Sequence, residues 1–475
     1  MMIKTKIIAT IGPACNKTDM IRTMIDHGVD VFRLNFSHGT LAEHGAFLEL
    51  LNAARSEHQH TTAVVGDLCG PKIRTANIEP KGQTLNVGDE ITITGDPNDG
   101  SPRRFGTNYD NLVADVAVGH RVFIDDGRIA LRVIAKDDDQ ITCRVLSPGA
   151  LHSHKGINLP DSDISSPSIT DRDWQCVNWA IEHKIEFLAL SFVRTADEIR
   201  QLKDYIKKAG SDIKVIAKIE KPQAIDHLEN IITASDVVLV ARGDLGVEMD
   251  LAQVPLIQKR ITHLCRHFGT PVIVATQMLQ SMIDSPTPTR AEVSDVANAI
   301  MDFTDAVMLS GETAIGKHPI AAAETIRRIA RVTEAFLDAS GEIRPMIVTS
   351  EKLAVTAAMA RSVAQFVDDT DAKLVAVWSQ TGAAAQLFSK ARIDVPILAL
   401  SSNERICRQM CLHYGVIPRC RPAPNSIEEF SRMVDKIILE RNWLHGGDKI
   451  VLVAGSPIGA AGTTNAIMVH TVSGS

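Results

Sequence analysis

The sequence predicts an α/β protein: a closed (β/α)8 TIM barrel carrying a small inserted β-barrel module, followed by a C-terminal α/β domain. Three observations predict it. Eight apolar, β-rich runs alternate with amphipathic stretches of helical period. Their starts lie roughly 23–35 residues apart, except that the third and fourth are separated by about 120, room for a separate insert. After about residue 345 the alternation restarts.

Taken in order, the first run is TKIIATIG (5–12). The second, VDVFRLNFS (29–37), ends in Arg33, Asn35 and Ser37, and the third, TTAVVGDL (61–68), ends on Asp67 and Leu68. The insert, 71–166, holds short alternating runs such as TLNVGDEITITG and QITCRVL, punctuated by Gly and Asp. That pattern predicts a small antiparallel β module, placed to act as a lid over the strand ends. IEFLALSF (185–192) resumes the barrel, and IKVIAKIE (213–220) ends with Lys218 and Glu220, two residues apart and so on one side of a strand. DVVLVARGD (236–244) presents Gly243 and Asp244, PVIVATQM (271–278) supplies Thr276, and DAVMLSGE (305–312) supplies Ser310 and Glu312. PQAIDHLENIITA (222–234) and HPIAAAETIRRIARVTEAFLDA (318–339) read as covering helices. The predicted domains are 1–70 with 167–345 (barrel), 71–166 (lid) and 346–475 (C-terminal domain).

Composition limits the function classes. Hydrophobic residues make up 45% and aromatics only 4%, which suits buried parallel strands of Val, Ile, Leu and Ala. A net charge of −7 argues against a nucleic-acid partner held by a general basic field. No apolar run reaches the length of a membrane span, and the N-terminus runs straight into a strand without a cleavage signal. The 8 cysteines form no C-x-x-C pair and read as reduced thiols of a cytoplasmic protein.

In such a barrel, chemistry gathers where strands end. One polar terminus is explained by solvation; six on one rim are not. Glu220 and Asp244, on neighbouring strands, offer two hard oxygen ligands that suit Mg2+ (or Mn2+), with room left for water and phosphate oxygens. Arg33 and Lys218 beside them fit an anionic substrate, because buried cations need partners. Positioning plus positive charge is what phosphoryl transfer requires. No P-loop and no protein-kinase signature set is present.

KTKIIATIGPA, FRLNFSHG, GDLCGPKIR, KGINLP, IAKIEKPQAI, ARGDLGVE, ATQMLQSM, PTRAEVSDVANAI and DAVMLSGET resemble, in order and over nearly the whole chain, the pyruvate kinase family. The resemblance implies the last step of glycolysis: phosphoenolpyruvate plus ADP giving pyruvate plus ATP. It implies Glu220 and Asp244 as magnesium ligands and Lys218 as the cation that stabilises the migrating phosphoryl group and the enolate. Gly243, Asp244 and Thr276 would hold the substrate carboxylate, Arg33 its phosphate, and Thr276 and Ser310 would relay a proton. Asn35, His38, Arg74 and Lys155 would contact the nucleotide. A homotetramer is the family's usual assembly.

GDLCGPKIR carries a departure. Asn35, Ser37 and Asp67 resemble the monovalent-cation ligands of potassium-requiring members, where a Glu usually precedes the Ile-Arg and Thr-Lys follows the Asp. Here Lys72 and Leu68-Cys69 stand there, which resembles the bacterial-type, potassium-independent branch. A tethered ammonium replaces a loosely held ion, and K+ is expected to be unnecessary. In the C-terminal domain, Ser379, Thr381 and the N–H groups around Gly382 resemble an effector phosphate loop at a helix start. The late loop GSPIGAAGTTN (455–465) carries no Arg or Lys, so a sugar monophosphate or AMP is expected rather than a bisphosphate. Two rivals are a metal-dependent barrel acting on C–C bonds at a pyruvate enolate and a silent, effector-binding paralogue. The first has no need of GPKIR and KGINLP, and the second no need of Lys218, Glu220, Asp244 and Thr276.

Overall fold

The computed structural model describes residues 3–57, 61–79, 83–340, 351–455, 458 and 464–473. Eight parallel strands close a barrel: β1 Lys6–Thr10, β2 Val31–Asn35, β3 Ala63–Asp67, β4 Phe187–Leu190, β5 Lys214–Ile219, β6 Val237–Ala241, β7 Val272–Ala275 and β8 Ala306–Leu309. Closure is direct, with Lys6 in register with Ala306. The strands are shorter than the apolar runs that announce them, because the last residues of each run leave the ladder.

Alternation along each strand separates two cores. Ile7, Ala9, Val64, Leu188, Val215, Val238 and Val274 pack outward against the helices. Ile8, Val31, Val65, Ala189, Ile216, Leu239, Ala275 and Met308 fill the barrel interior. The helix starts are locally encoded: Thr170 with Asp173, and Thr289 with Glu292, form capping boxes at Asp171–Glu182 and Arg290–Met301.

Between β3 and β4 the chain builds a seven-stranded sheet, with a two-stranded ribbon beside it, around its own core of Ile91, Phe105, Leu131, Val133 and Ile141. All its pairings are antiparallel except Glu90–Thr94 with Arg104–Gly106. Asp173 fastens the point where this insert leaves the barrel. Its Oδ1 accepts the N–H groups of Cys69 (2.9 Å) and Gly70 (3.3 Å), while its Oδ2 accepts that of Thr170 (2.9 Å) at the return.

The C-terminal domain is a five-stranded sheet of β9 Val375–Trp378, β10 Ile397–Ser401, β11 Val416–Cys420, β12 Lys449–Gly455 and β13 Thr464–Thr471, ordered β11-β10-β9-β12-β13 with only β13 antiparallel. It meets the end of the barrel opposite the insert. Cys411 and Leu412 enter the interior barrel core. Fully buried Lys390 bonds Asp305 at 2.9 Å, and Arg392 reaches the same carboxylate at 3.1 Å. The position 345/346 and most of the loop 456–463 lie outside the described residues. Among the described residues no helix is long and apolar enough to cross a membrane.

Candidate active site

The interior parity of the barrel continues past the strand ends and selects the site. Val31 and Val65 point inward, and so therefore do Arg33, Asn35 and Asp67; Ile216 carries Lys218 and Glu220 with it. These charges form one network. Arg33 donates through Nε (2.7 Å) to Asp67 Oδ2, which Nη2 also reaches at 2.6 Å; Nη1 donates to Thr10 Oγ1 (3.1 Å). Lys218 Nζ donates to Ser191 Oγ (2.7 Å) and stands 2.8 Å from Glu220 Oε1 and 3.3 Å from Asp67 Oδ1. Glu220 Oε2 accepts the Phe192 N–H at 2.7 Å.

Burial and charge set the protonation states. Burial alone would push the Asp67 carboxyl up, but Lys218 and Arg33 outweigh it and hold it below the usual carboxylate range. Burial works against the Lys218 charge, yet Asp67, Glu220 and Asp244 together keep its pKa above that of an ordinary lysine. Glu220 is pushed up by burial and by the neighbouring Asp244, against the pull of Lys218. A carboxyl raised by burial and by a neighbouring carboxylate's charge belongs to a donor set asking for a further cation. Among the described residues no three His, Cys, Asp or Glu cluster as a metal cage, so an ion here needs oxygens from water or substrate. The residues present thus fit a hard divalent ion.

Asp244 and Gly243 are not on a strand as the sequence suggested. β6 ends at Ala241, and both lie in the first turn of the helix Arg242–Glu248. The Gly243 N–H, expected to face substrate, donates to Thr276 Oγ1 at 2.7 Å. Thr276 itself departs from parity. It follows the inward Ala275 and would face the helices, but its φ of 68° turns the chain left-handed there. For a β-branched residue that conformation is strained. Ser310 caps the last strand, and its N–H is held by Glu312 Oε2 at 2.7 Å. Glu312, read from sequence as a rim acid, is 1% exposed and ties Ser310 to the Leu279 N–H (3.1 Å).

A cleft of about 460 Å³ opens between barrel and insert, lined among others by His38, Lys72, Arg74, Lys155 and Asp244. Burial and then the charges of Lys72, Arg74 and Arg33 lower the His38 pKa, favouring the neutral ring. Arg74 Nη1 bonds the His154 carbonyl (3.1 Å), and Lys155 Nζ pairs with Asp125 (2.9 Å). Exposed Lys72 places its Nζ 3.5 Å from Ser37 Oγ; the Ser37 N–H donates to Asn35 Oδ1 at 3.2 Å, and Leu68 is buried below. In the C-terminal domain, Gly382 adopts φ 83° at the start of Ala383–Lys390, and Ser379 Oγ accepts the Ala385 N–H at 3.3 Å. That hydroxyl serves the helix start.

Sequence reasoning missed four residues of the barrel: Ser191, Arg242, Glu248 and Lys221. Ser191 holds Lys218 and donates to the Leu68 carbonyl at 2.7 Å. Arg242 binds Asp295 (2.7 Å) and the Thr276 carbonyl (2.8 Å), bracing the strained turn. Buried Glu248 accepts from Lys221 Nζ (2.6 Å) and from Asn158 Nδ2 of the insert (2.8 Å), joining the two bodies. The only available signal was their place inside SF, ARGDLGVE and IEKPQ, immediately beside residues already chosen.

Comparison with known proteins agrees with this arrangement along the whole chain. Residues 2–323 match the family described as "Pyruvate kinase, barrel domain" and residues 357–470 that described as "Pyruvate kinase, alpha/beta domain". A pyruvate kinase of Mycobacterium intracellulare is 39% identical over 473 residues, covering 99% of both chains. One from Geobacillus stearothermophilus is 38% identical over 100% of this chain and 81% of its own length. The crystal structure of a pyruvate kinase from Cryptosporidium parvum superposes with a TM-score of 0.91 at 32% identity, covering 99% of this chain and 96% of that one. Matches of this length in both domains, over a barrel mouth of this chemistry, place the chain in the pyruvate kinase family of phosphotransferases.

Proposed function

We propose that this chain transfers the phosphoryl group of phosphoenolpyruvate to ADP, giving pyruvate and ATP, as its family implies. The observation that carries the reading is Lys218, a half-buried ammonium held among Ser191, Glu220 and Asp67 at the barrel mouth. A fixed cation there can meet the phosphate and the enolate oxygen released when the P–O bond breaks, without solvent reorganisation. Arg33, oriented by Asp67, is aimed to bind the phosphate. Glu220 and Asp244 would hold the family's divalent metal, Mg2+ or Mn2+, which when bound supplies positive charge to phosphate oxygens. Thr276 and Ser310 would pass a proton from water to the enolate carbon. Gly243, with Asp244 and Thr276, would orient the carboxylate once Thr276 releases the Gly243 N–H.

The nucleotide fits the cleft between barrel and insert, contacted by Asn35, His38, Arg74 and Lys155, with 71–166 closing as a lid that excludes water. Lys72 takes the part of a monovalent cation near Asn35, Ser37 and Asp67, so K+ is not required. Its 3.5 Å approach to Ser37 Oγ supports this. Two unit charges about 4 Å apart interact by about 4 kcal/mol at an effective dielectric near 20, enough to matter at a phosphate site. The parts 1–70 with 167–345, 71–166 and 346–475 then serve as catalytic, lid and effector domains of a cytoplasmic homotetramer.

A coupled assay for ADP-dependent pyruvate release, with Mg2+ present, tests the reading. Turnover is expected in the range of 1–100 per second, about what phosphotransferases of this kind reach. Lys218→Met is expected to lower it by about 100-fold or more. Pyruvate release that ignores ADP, or a Lys218→Met enzyme of full activity, would overturn it.

A further inference from the structure

The face where the C-terminal domain meets the barrel carries a second cleft, of about 610 Å³, whose lining includes two thiols, Cys407 and Cys420. They come from different elements, the helix Glu404–Gln409 and the last residue of β11. The fold brings them together. Cys420 stands in register with Ser401 on β10, and Cys407 Sγ donates to the Ser401 carbonyl at 3.8 Å. A hydrogen bond also joins the Cys407 and Cys420 side chains. Cys407 is fully buried in the core of the C-terminal domain, whereas Cys420 is half-buried at the cleft wall. Burial, and then the negative charge of a Cys420 thiolate, push the Cys407 thiol above the usual cysteine range. Access and charge thus single out Cys420 as the thiol that an oxidant meets first. Nearly buried Arg419 lines the same cleft, and its charge attracts that of an ionised Cys407, which helps the inner thiol to give up its proton. The other neighbouring thiol, Cys411, is turned to the Thr61 carbonyl at 3.1 Å and belongs to the barrel floor.

We infer that Cys407 and Cys420 are a redox modification site, at which hydrogen peroxide entering the cleft oxidises the two thiols to a reversible disulfide. The Cys420 sulfur attacks one peroxide oxygen, the O–O bond breaks, and the departing oxygen leaves as water with the thiol proton; Cys420 is then a sulfenic acid. The Cys407 sulfur displaces that hydroxyl. The S–S bond forms as the S–O bond breaks, and the hydroxyl leaves as water with the Cys407 proton. Two thiols lose two hydrogens and two electrons, and the peroxide is reduced to two waters. The first step eases the second, because an uncharged sulfenic acid no longer holds the Cys407 proton in place as a Cys420 thiolate would. The site also lies in the element that docks the C-terminal domain on the barrel. Two residues either side of Cys407, Arg405 Nη2 donates to the Ile185 carbonyl and Gln409 Nε2 to the Asp212 carbonyl, both at 2.9 Å.

Peptide mapping by mass spectrometry tests this without relying on catalysis. The full chain is treated with hydrogen peroxide, then denatured and alkylated so that free thiols are capped before digestion. The parent chain is expected to yield a Cys407–Cys420 cross-linked peptide, which dithiothreitol returns to two thiols. Cys407→Ala is expected to stall at the first step, leaving a Cys420 sulfenic acid that dimedone traps, whereas the parent escapes the trap by closing the disulfide. Cys420→Ser is expected to give no cross-link and to leave Cys407 reduced, because the inner thiol is out of the oxidant's reach. If either variant does not fold, the map of the parent chain decides alone. Absence of the cross-link from the oxidised parent would overturn the inference. So would a cross-link that joins Cys420 or Cys407 to some other cysteine instead, or a Cys420 that dimedone labels equally in the parent and in Cys407→Ala.

Discussion

On the proposed reading Lys72 takes the part of a monovalent cation, and this makes the position testable. The ammonium reaches Ser37 from the first residues of the insert. Turnover in buffer free of K+ and NH4+ is therefore expected to be near maximal. Lys72→Glu is expected to lower it by about 10-fold or more and to make it recover on addition of KCl, the Coulomb interaction at stake being about 4 kcal/mol. Many-fold activation of the parent chain by KCl would count against the assignment. The inward set (Arg33, Asn35, Asp67, Lys218, Glu220) was legible in the sequence because period-two alternation is a local property. Ser191, Arg242 and Glu248 were not, since each acts on groups from distant parts of the chain. Thr276 breaks alternation through a left-handed φ, and nothing in its composition announces such a turn.

At the scale of elements, eight strands and the insert could be read from spacing, whereas strand ends could not. Run lengths overshoot the ladders because the last one to three apolar-run residues belong to the turns that carry chemistry, as where β6 gives way to Arg242–Glu248. The contact between insert and barrel was invisible in sequence for a similar reason: Asn158, Lys221 and Glu248 come from three separate segments. Glu248→Gln removes the negative charge that compensates Lys221 while keeping an oxygen for Asn158. The expected cost is about 3 kcal/mol, the low end for breaking a buried ion pair. Limited proteolysis should then cut the hinges of the insert faster than in the parent, and the KM for ADP should rise several-fold. An unchanged cleavage rate would show that the insert is held by other contacts.

For the whole molecule, the barrel and the C-terminal domain complete one another. The interior core counts Cys411 and Leu412 among its members, and Lys390 and Arg392 neutralise Asp305, whose other contact is the β7 backbone at Val272 (2.7 Å). A chain cut after Ala339 would strip that carboxylate of both its cations and would open the apolar floor to water. It is expected to be insoluble or to bind a hydrophobic dye strongly, whereas addition of the separately made remainder should restore solubility. A soluble, cooperatively melting 1–339 fragment would refute this. The same plug sets a timetable during synthesis. A ribosome releases the eight strands long before it reaches residue 412, so the nascent barrel must wait, unsealed, for the final quarter of the message to be read before its lower layer can set.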